Sequence, residues 1–161
     1  MKKYKDHTLQ EYLDALSQKT PVPGGGSAAA LVAATGVALI LMVAQYSKGK
    51  ALSKSVESRI RRIISSGTAL RRRLVALIDL DAQAYFNVVK SRTAGKKTRT
   101  SALRTAAGVP REVCRLCYQG MDLLPFLVAK GNKHLMSDVE VAAEMLLAAF
   151  NAAMINVKVN S

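Results

Sequence analysis

Tryptophan is absent, only 5% of the residues are aromatic, and four prolines are all that interrupt a chain of 161 residues. A core without large rings must be filled by Ala, Leu, Val, Ile and Met, which suit close helix packing better than the inside of a β-sandwich. Period-2 alternation of useful length is missing as well, so strands find no support, and no internal repeat or low-complexity tail is visible. The two cysteines, Cys114 and Cys117, have C-x-x-C spacing but lie on an apolar helical stripe with Val113 and Leu116. Without two further ligands, which His7 and His134 are poorly placed to supply, zinc or thiol-redox chemistry is not expected, and reduced core thiols are. No metal site is predicted.

Acidic residues are also scarce, 11 against 24 Lys and Arg, for a formal net charge of +13. From Lys48 to Arg115 there are 17 Lys and Arg against 4 acids, while the remainder holds 7 of each, so the whole excess lies in the middle of the chain. Such a field attracts polyanions: nucleic acid, an anionic membrane, or a small substrate with several carboxylates. Nothing after Met1-Lys2-Lys3 resembles a cleavable signal segment. An uncharged run from Pro21 to Tyr46 is long enough to span a bilayer, but its alanines, three consecutive glycines, Ser27 and Thr35 make it weakly hydrophobic. A helix apolar on all sides with amphipathic partners elsewhere in the chain belongs in the middle of a bundle.

With 50% hydrophobic content the chain suffices for one domain, 1–161, with a real core. Thr8 and Glu11 have capping-box spacing ahead of Leu9, Tyr12, Leu13 and Leu16 on one stripe, which predicts a short amphipathic helix. Pro21-Val22-Pro23-Gly24-Gly25-Gly26 then breaks it, and a second helix is expected from Ser27 to about Tyr46. A long third helix is read from about Leu52 to Val89, with a bend near Gly67; Ser91 to Thr100 is read as an exposed basic loop. Pro110 should kink or restart the next helix, leaving one or two shorter pieces between Val109 and Ala129. Ser137 and Glu140 form a second capping-box pattern ahead of the last helix. The fold class is all-α, a single-domain multi-helix bundle.

Two features could carry chemistry. Glycines ahead of a helix start leave backbone N–H groups free at the positive helix end, which suits an anion, although a tight turn for close packing explains them equally. No Gly-Lys-Ser/Thr ending follows, so a nucleotide P-loop is disfavoured. Asp81 falls on the stripe of Leu74, Leu77 and Val88, about 200° from Asp79. A carboxyl group there has a raised pKa suited to proton transfer near neutral pH, or else caps or pairs with a neighbouring arginine. His134 reads as solvated turn chemistry and Asp138 as a first-turn acid of the last helix.

Three separated motifs, in order along almost the whole chain, carry a more specific signal. Pro21-Val22-Pro23-Gly24-Gly25-Gly26-Ser27-Ala28-Ala29, Leu77-Ile78-Asp79-Leu80-Asp81-Ala82-Gln83-Ala84-Tyr85, and Lys130-Gly131-Asn132 through Ser137-Asp138-Val139-Glu140 to Asn156-Val157 resemble the cyclodeaminase/cyclohydrolase domain of the formiminotransferase-cyclodeaminase family. The resemblance implies a cytoplasmic, homodimeric helical bundle acting on one-carbon units of tetrahydrofolate, monoglutamylated or polyglutamylated, with no cofactor beyond that substrate. It implies Asp81 as the catalytic proton donor, and Gly24, Gly25, Gly26, Ser27, Asn132 and Asp138 as substrate-binding residues. Formimidoyltetrahydrofolate cyclodeaminase is the leading activity it implies and methenyltetrahydrofolate cyclohydrolase the second; a non-catalytic member binding nucleic acid or another acidic partner through the basic surface is the rival. The chain lacks the Leu-Pro-Lys segment that family members carry after the Asp motif, and the resemblance implies a domain without the family's last helix.

Overall fold

A computed structural model describes residues 3–49 and 53–159. Six α-helices, α1 (Leu9–Leu16), α2 (Gly25–Ser47), α3 (Lys54–Lys90), α4 (Lys96–Met121), α5 (Leu124–Lys130) and α6 (Met136–Val159), build the molecule, with three short 3-10 turns and no strand among the described residues. The Thr8–Glu11 capping box at α1 is formed in both directions, which fixes where the helix begins.

Helix α2 runs through the centre. Its small residues Ala30, Ala33, Ala34 and Gly36 allow α3 and α6 to approach closely, and Val37, Ile40, Val43 and Ala44 are fully enclosed. A Cβ at Gly36 would meet Leu146 and the Ala142 carbonyl of α6 at 3.2 and 3.3 Å, and one at Gly67 would meet Leu41 at 2.9 Å, so each glycine marks a helix crossing. Although α2 is long and apolar enough to cross a membrane, this enclosure makes it the core helix of a bundle.

Ser27 of α2 meets Asp81 of α3, Arg73 of α3 meets Glu112 of α4, and Cys114 of α4 meets the Phe150 carbonyl of α6. These pairings make α2, α3, α4 and α6 successive antiparallel neighbours around one core. Both cysteines are buried free thiols, and burial pushes Cys117 up to about 12, as core thiols require.

Three local expectations need correction. The segment 91–100 is not a loop: a 3-10 turn, Ser91–Thr93, leads to Gly95, and α4 already includes Lys96, Lys97 and Arg99. Lys and Arg are good helix formers, and their charge marks a solvated helix face. Pro110 does not break α4, which continues from Lys96 to Met121 around it. The proline is fully buried, and the packing that encloses it outweighs the one helical hydrogen bond it removes, that to the Ala106 carbonyl. Ser137 does not cap α6, because the helix has begun at Met136, continuing from a 3-10 turn whose cap is the Asn132 side chain. Helix α3 starts at Lys54; Leu52 lies outside the described residues.

Candidate functional site

The Pro-Gly segment, α3, α4 and the end of α6 enclose a cavity of about 830 Å³, whose lining includes Gly25, Gly26, Asp81, Tyr85, Arg104, Arg111 and Asn156. Among the described residues Asp81 is the one carboxylate on its wall. It faces inward because it continues the buried stripe of Leu70, Leu74 and Leu77 on α3, one turn beyond the point where close packing gives way to the cavity.

The carboxyl is held from α2. Ser27 N–H donates to Asp81 Oδ2 at 3.1 Å, and a Cβ at Gly26 would overlap the Asp81 carboxyl group. Glycine at 26 is therefore what lets the first turn of α2 press against the acid. Ser27 itself is fully buried, and its hydroxyl is bonded at 3.0 Å to the hydroxyl of Tyr12, also buried. The chain Tyr12, Ser27, Asp81 thus ties α1, α2 and α3 together behind the cavity. Burial pushes the Asp81 carboxyl above the usual carboxylate range, and the Ser27 N–H offsets part of the rise. Among the described residues no cation lies within ion-pair distance of Asp81, so the pairing alternative is closed. Tyr12 is pushed up by burial and by the nearby Asp81 charge, against the lowering effect of the Ser27 bond, which keeps its hydroxyl protonated.

Asp79 has a separate role. Turned away from Asp81, its Oδ1 accepts the Tyr4 N–H at 2.7 Å, while the Tyr4 hydroxyl donates to the Val22 carbonyl at 3.1 Å. One aspartate of the Asp-x-Asp pair thereby pins the N-terminal segment and the Pro-Gly loop, and the other faces the cavity.

Of the expected binding residues, Gly25 and Gly26 line the cavity, Gly24 is the extended residue preceding α2, and Ser27 lies behind the wall. Asn132 and Asp138 do not join this cavity within one chain. The Asn132 N–H donates to Ser47 Oγ at 2.9 Å, at the other end of α2 from Ser27, about 30 Å away at 1.5 Å per residue. Asp138 opens α6, and the cavity residue Asn156 lies about 27 Å further along that helix. Arg104 and Arg111 do not figure in the sequence reading, and Tyr85 and Asn156 figure there only as members of motifs. The two arginines lie seven residues apart with Ala107 between them, a helical repeat hidden once 91–100 is read as loop and Pro110 as a break. Among the described residues no group of three His, Cys, Asp or Glu side chains could hold a metal ion.

A carboxyl group whose pKa is raised by burial, fixed by one backbone donor and opening on a cavity of this size, has the means to exchange a proton with a bound molecule. A family model for formiminotransferase-cyclodeaminase matches residues 8–161. A methenyltetrahydrofolate cyclohydrolase from Methylorubrum extorquens is 34% identical, over 97% of this chain and 80% of that protein. The formimidoyltransferase-cyclodeaminase of Rattus norvegicus is 33% identical over 96% of this chain, which spans 30% of that longer protein. The crystal structure of a formiminotetrahydrofolate cyclodeaminase from Thermotoga maritima superposes with a TM-score of 0.92 at 32% identity, over 97% of this chain and 79% of that one. With its fold and nearly its whole length matched, the chain belongs to the formiminotransferase-cyclodeaminase family.

Proposed function

We propose that this protein is a tetrahydrofolate one-carbon enzyme in which Asp81 is the catalytic acid, and that it closes 5-formimidoyltetrahydrofolate to 5,10-methenyltetrahydrofolate with release of ammonia. The observation that carries the reading is the inward-facing, burial-raised Asp81 on a cavity large enough for a folate, in a chain of this family. In the reaction N10 attacks the carbon of the protonated formimino group, –CH=NH2+, forming the new C–N bond and converting that group to a neutral –NH2 amine. A proton from the Asp81 carboxyl reaches that nitrogen, its bond to carbon breaks, and the N5 lone pair restores the C=N of the methenyl product. The proton lost by N10 returns to Asp81. Burial is what makes this cycle available near neutral pH, since an ordinary aspartate at 3.8 would be a carboxylate throughout.

A second reading, methenyltetrahydrofolate cyclohydrolase, is favoured by the match to the Methylorubrum protein over most of both chains. There the same carboxylate would take a proton from water attacking the methenyl carbon. Gly25, Gly26 and Asn156 border the reacting group in either case, and the lysines at the start of α4 provide a field for polyglutamylated folate. Cytoplasmic placement and a homodimer belong to the same proposal. On α6, Leu146 is buried in the core, whereas Leu147 and Ile155 are exposed, and those are the residues a partner would cover. Absorbance of the methenyl product, followed with formimidoyl- and methenyl-tetrahydrofolate supplied separately, tests the assignment. A rise with the first supports cyclodeaminase, a fall with the second supports cyclohydrolase, and no change with either on folded protein overturns both.

A further inference from the structure

The cavity has two chemically different walls. On the α3 side is Asp81; on the α4 side are Arg104 and Arg111, two helical turns apart on the face shared by Ala107. Both arginines are exposed to the cavity and solvent, and neither has a carboxylate partner among the described residues. Arg73 and Arg115, by contrast, are both occupied by Glu112, and what distinguishes Arg104 and Arg111 among the other arginines without a carboxylate partner is that they line the cavity with Asp81. They are not neutralising Asp81 either, because no arginine contributes to its environment; burial and the Ser27 N–H account for it. Placing two guanidinium groups in one cavity without a counter-charge raises their mutual repulsion, and a bound anion removes it.

We infer that Arg104 and Arg111 form a carboxylate-recognising wall of the cavity that binds the glutamate moiety of the substrate, opposite the acid that performs the chemistry. This rests on the folate reading proposed above and adds the residues that select for the glutamate. Arg suits the task because its planar fork donates two parallel N–H bonds to a carboxylate, and glutamate offers two carboxylates to two arginines. The division of labour follows from electrostatics. An acid that must stay protonated is best kept free of a directly paired cation, which would lower its pKa, while a ligand carboxylate gains from one. The wall therefore governs binding and not the proton transfer. It is distinct from Lys96, Lys97 and Arg99, which do not line the cavity wall with Asp81.

Calorimetric binding of tetrahydrofolate and of tetrahydropteroate, which lacks the glutamate, separates the possibilities. Wild type is expected to prefer tetrahydrofolate, and Arg104→Gln or Arg111→Gln to weaken its binding about tenfold each, with tetrahydropteroate unchanged within about twofold. Arg→Lys at either position should recover only part of the loss, since it keeps the charge and loses the fork. Far-UV circular dichroism checks that these exposed substitutions leave the bundle folded. If wild type binds tetrahydrofolate and the double Gln variant binds it equally well, or if both ligands lose affinity alike, the carboxylate wall is wrong while the folate reading stands. If wild type binds neither ligand, the folate reading itself falls and takes this inference with it.

Discussion

Replacing Gly26 by alanine probes the contact that holds the proposed acid. The added methyl would overlap the Asp81 carboxyl, which cannot retreat without giving up the Ser27 N–H. Overpacking of this kind costs about 1–3 kcal/mol. Alanine recovers about 0.5–1 kcal/mol, because Gly26 lies within the helix and glycine is the poorer helix former. The net loss expected is about 0–2.5 kcal/mol, or a fall in melting temperature of no more than roughly 10 °C for a chain of this size. Turnover should fall more steeply, about a hundredfold, because a displacement near 1 Å at a proton-transfer group is enough for that. Gly24→Ala is the control: its Cβ would meet only the Pro21 carbonyl at 3.9 Å, so neither stability nor rate should change by more than a small factor. Thermal unfolding and the methenyl absorbance assay read the two effects. If Gly26→Ala turns over within a few-fold of wild type, the tight seating of Asp81 against α2 has no catalytic meaning.

Tyr12→Phe leaves the buried Ser27 hydroxyl without its partner and should cost about 1–2 kcal/mol in urea unfolding, with a smaller effect on rate, because the Ser27 backbone donor stays in place. The bidentate Arg73–Glu112 pair, at 2.7 and 2.8 Å, is partly exposed, so Arg73→Met should cost no more than about 1 kcal/mol. Its partner's pKa is lowered, chiefly by the Arg73 hydrogen bond, so the contribution is present above the unfolded value of 4.5 and lost as pH falls below it; equal Arg73→Met losses at pH 7 and pH 3 would contradict the assignment. Cys117, with its pKa pushed up to about 12, should resist alkylation at pH 8 in folded protein and react once the chain is denatured, as mass spectrometry would show. Replacing Lys96, Lys97 and Arg99 by Gln should raise the Michaelis constant for a polyglutamylated folate at low salt and spare the maximal rate; a sharp loss of RNA binding with folate kinetics unaltered would instead assign that surface to nucleic acid.

Much of this site was legible in the sequence because period carries direction. The stripe Leu74, Leu77, Asp81 separated Asp81 from Asp79 by about 200°, and the structure shows Asp81 on the cavity and Asp79 turned away from it, bonded to the Tyr4 N–H. Thr8 with Glu11 marked a helix start correctly because both halves of the cap are local. Ser137 with Glu140 has the same spacing and fails, since the preceding 3-10 turn from Lys133 to Leu135 already leads the chain into α6. Pro110 and the charges of 96–99 misled for a tertiary reason: burial of Pro110 against its neighbours carries α4 past a residue that would break an isolated helix. Losing the phase of α4 concealed Arg104 and Arg111. For Asn132 and Asp138 a binding role is implied by the resemblance alone, which carries no information on their distance from Asp81 along α2 and α6 within one chain.

The most direct test of the account is the pH-dependent turnover of Asp81→Asn beside wild type, measured with formimidoyl-tetrahydrofolate and accompanied by urea unfolding. The amide fits the same space and can keep the Ser27 N–H bond, but it has no acidic proton to give. The folded-state pKa of Asp81 is raised, so ionising the buried group destabilises the wild type; wild type should gain stability relative to the variant as pH falls through that raised value toward 3.8. Its rate should decline on the alkaline side as the same group loses its proton. The account predicts a folded Asp81→Asn protein that has lost about 10²–10⁴-fold in rate. A folded variant turning over within a few-fold of wild type, with the alkaline limb of the profile intact, would contradict it.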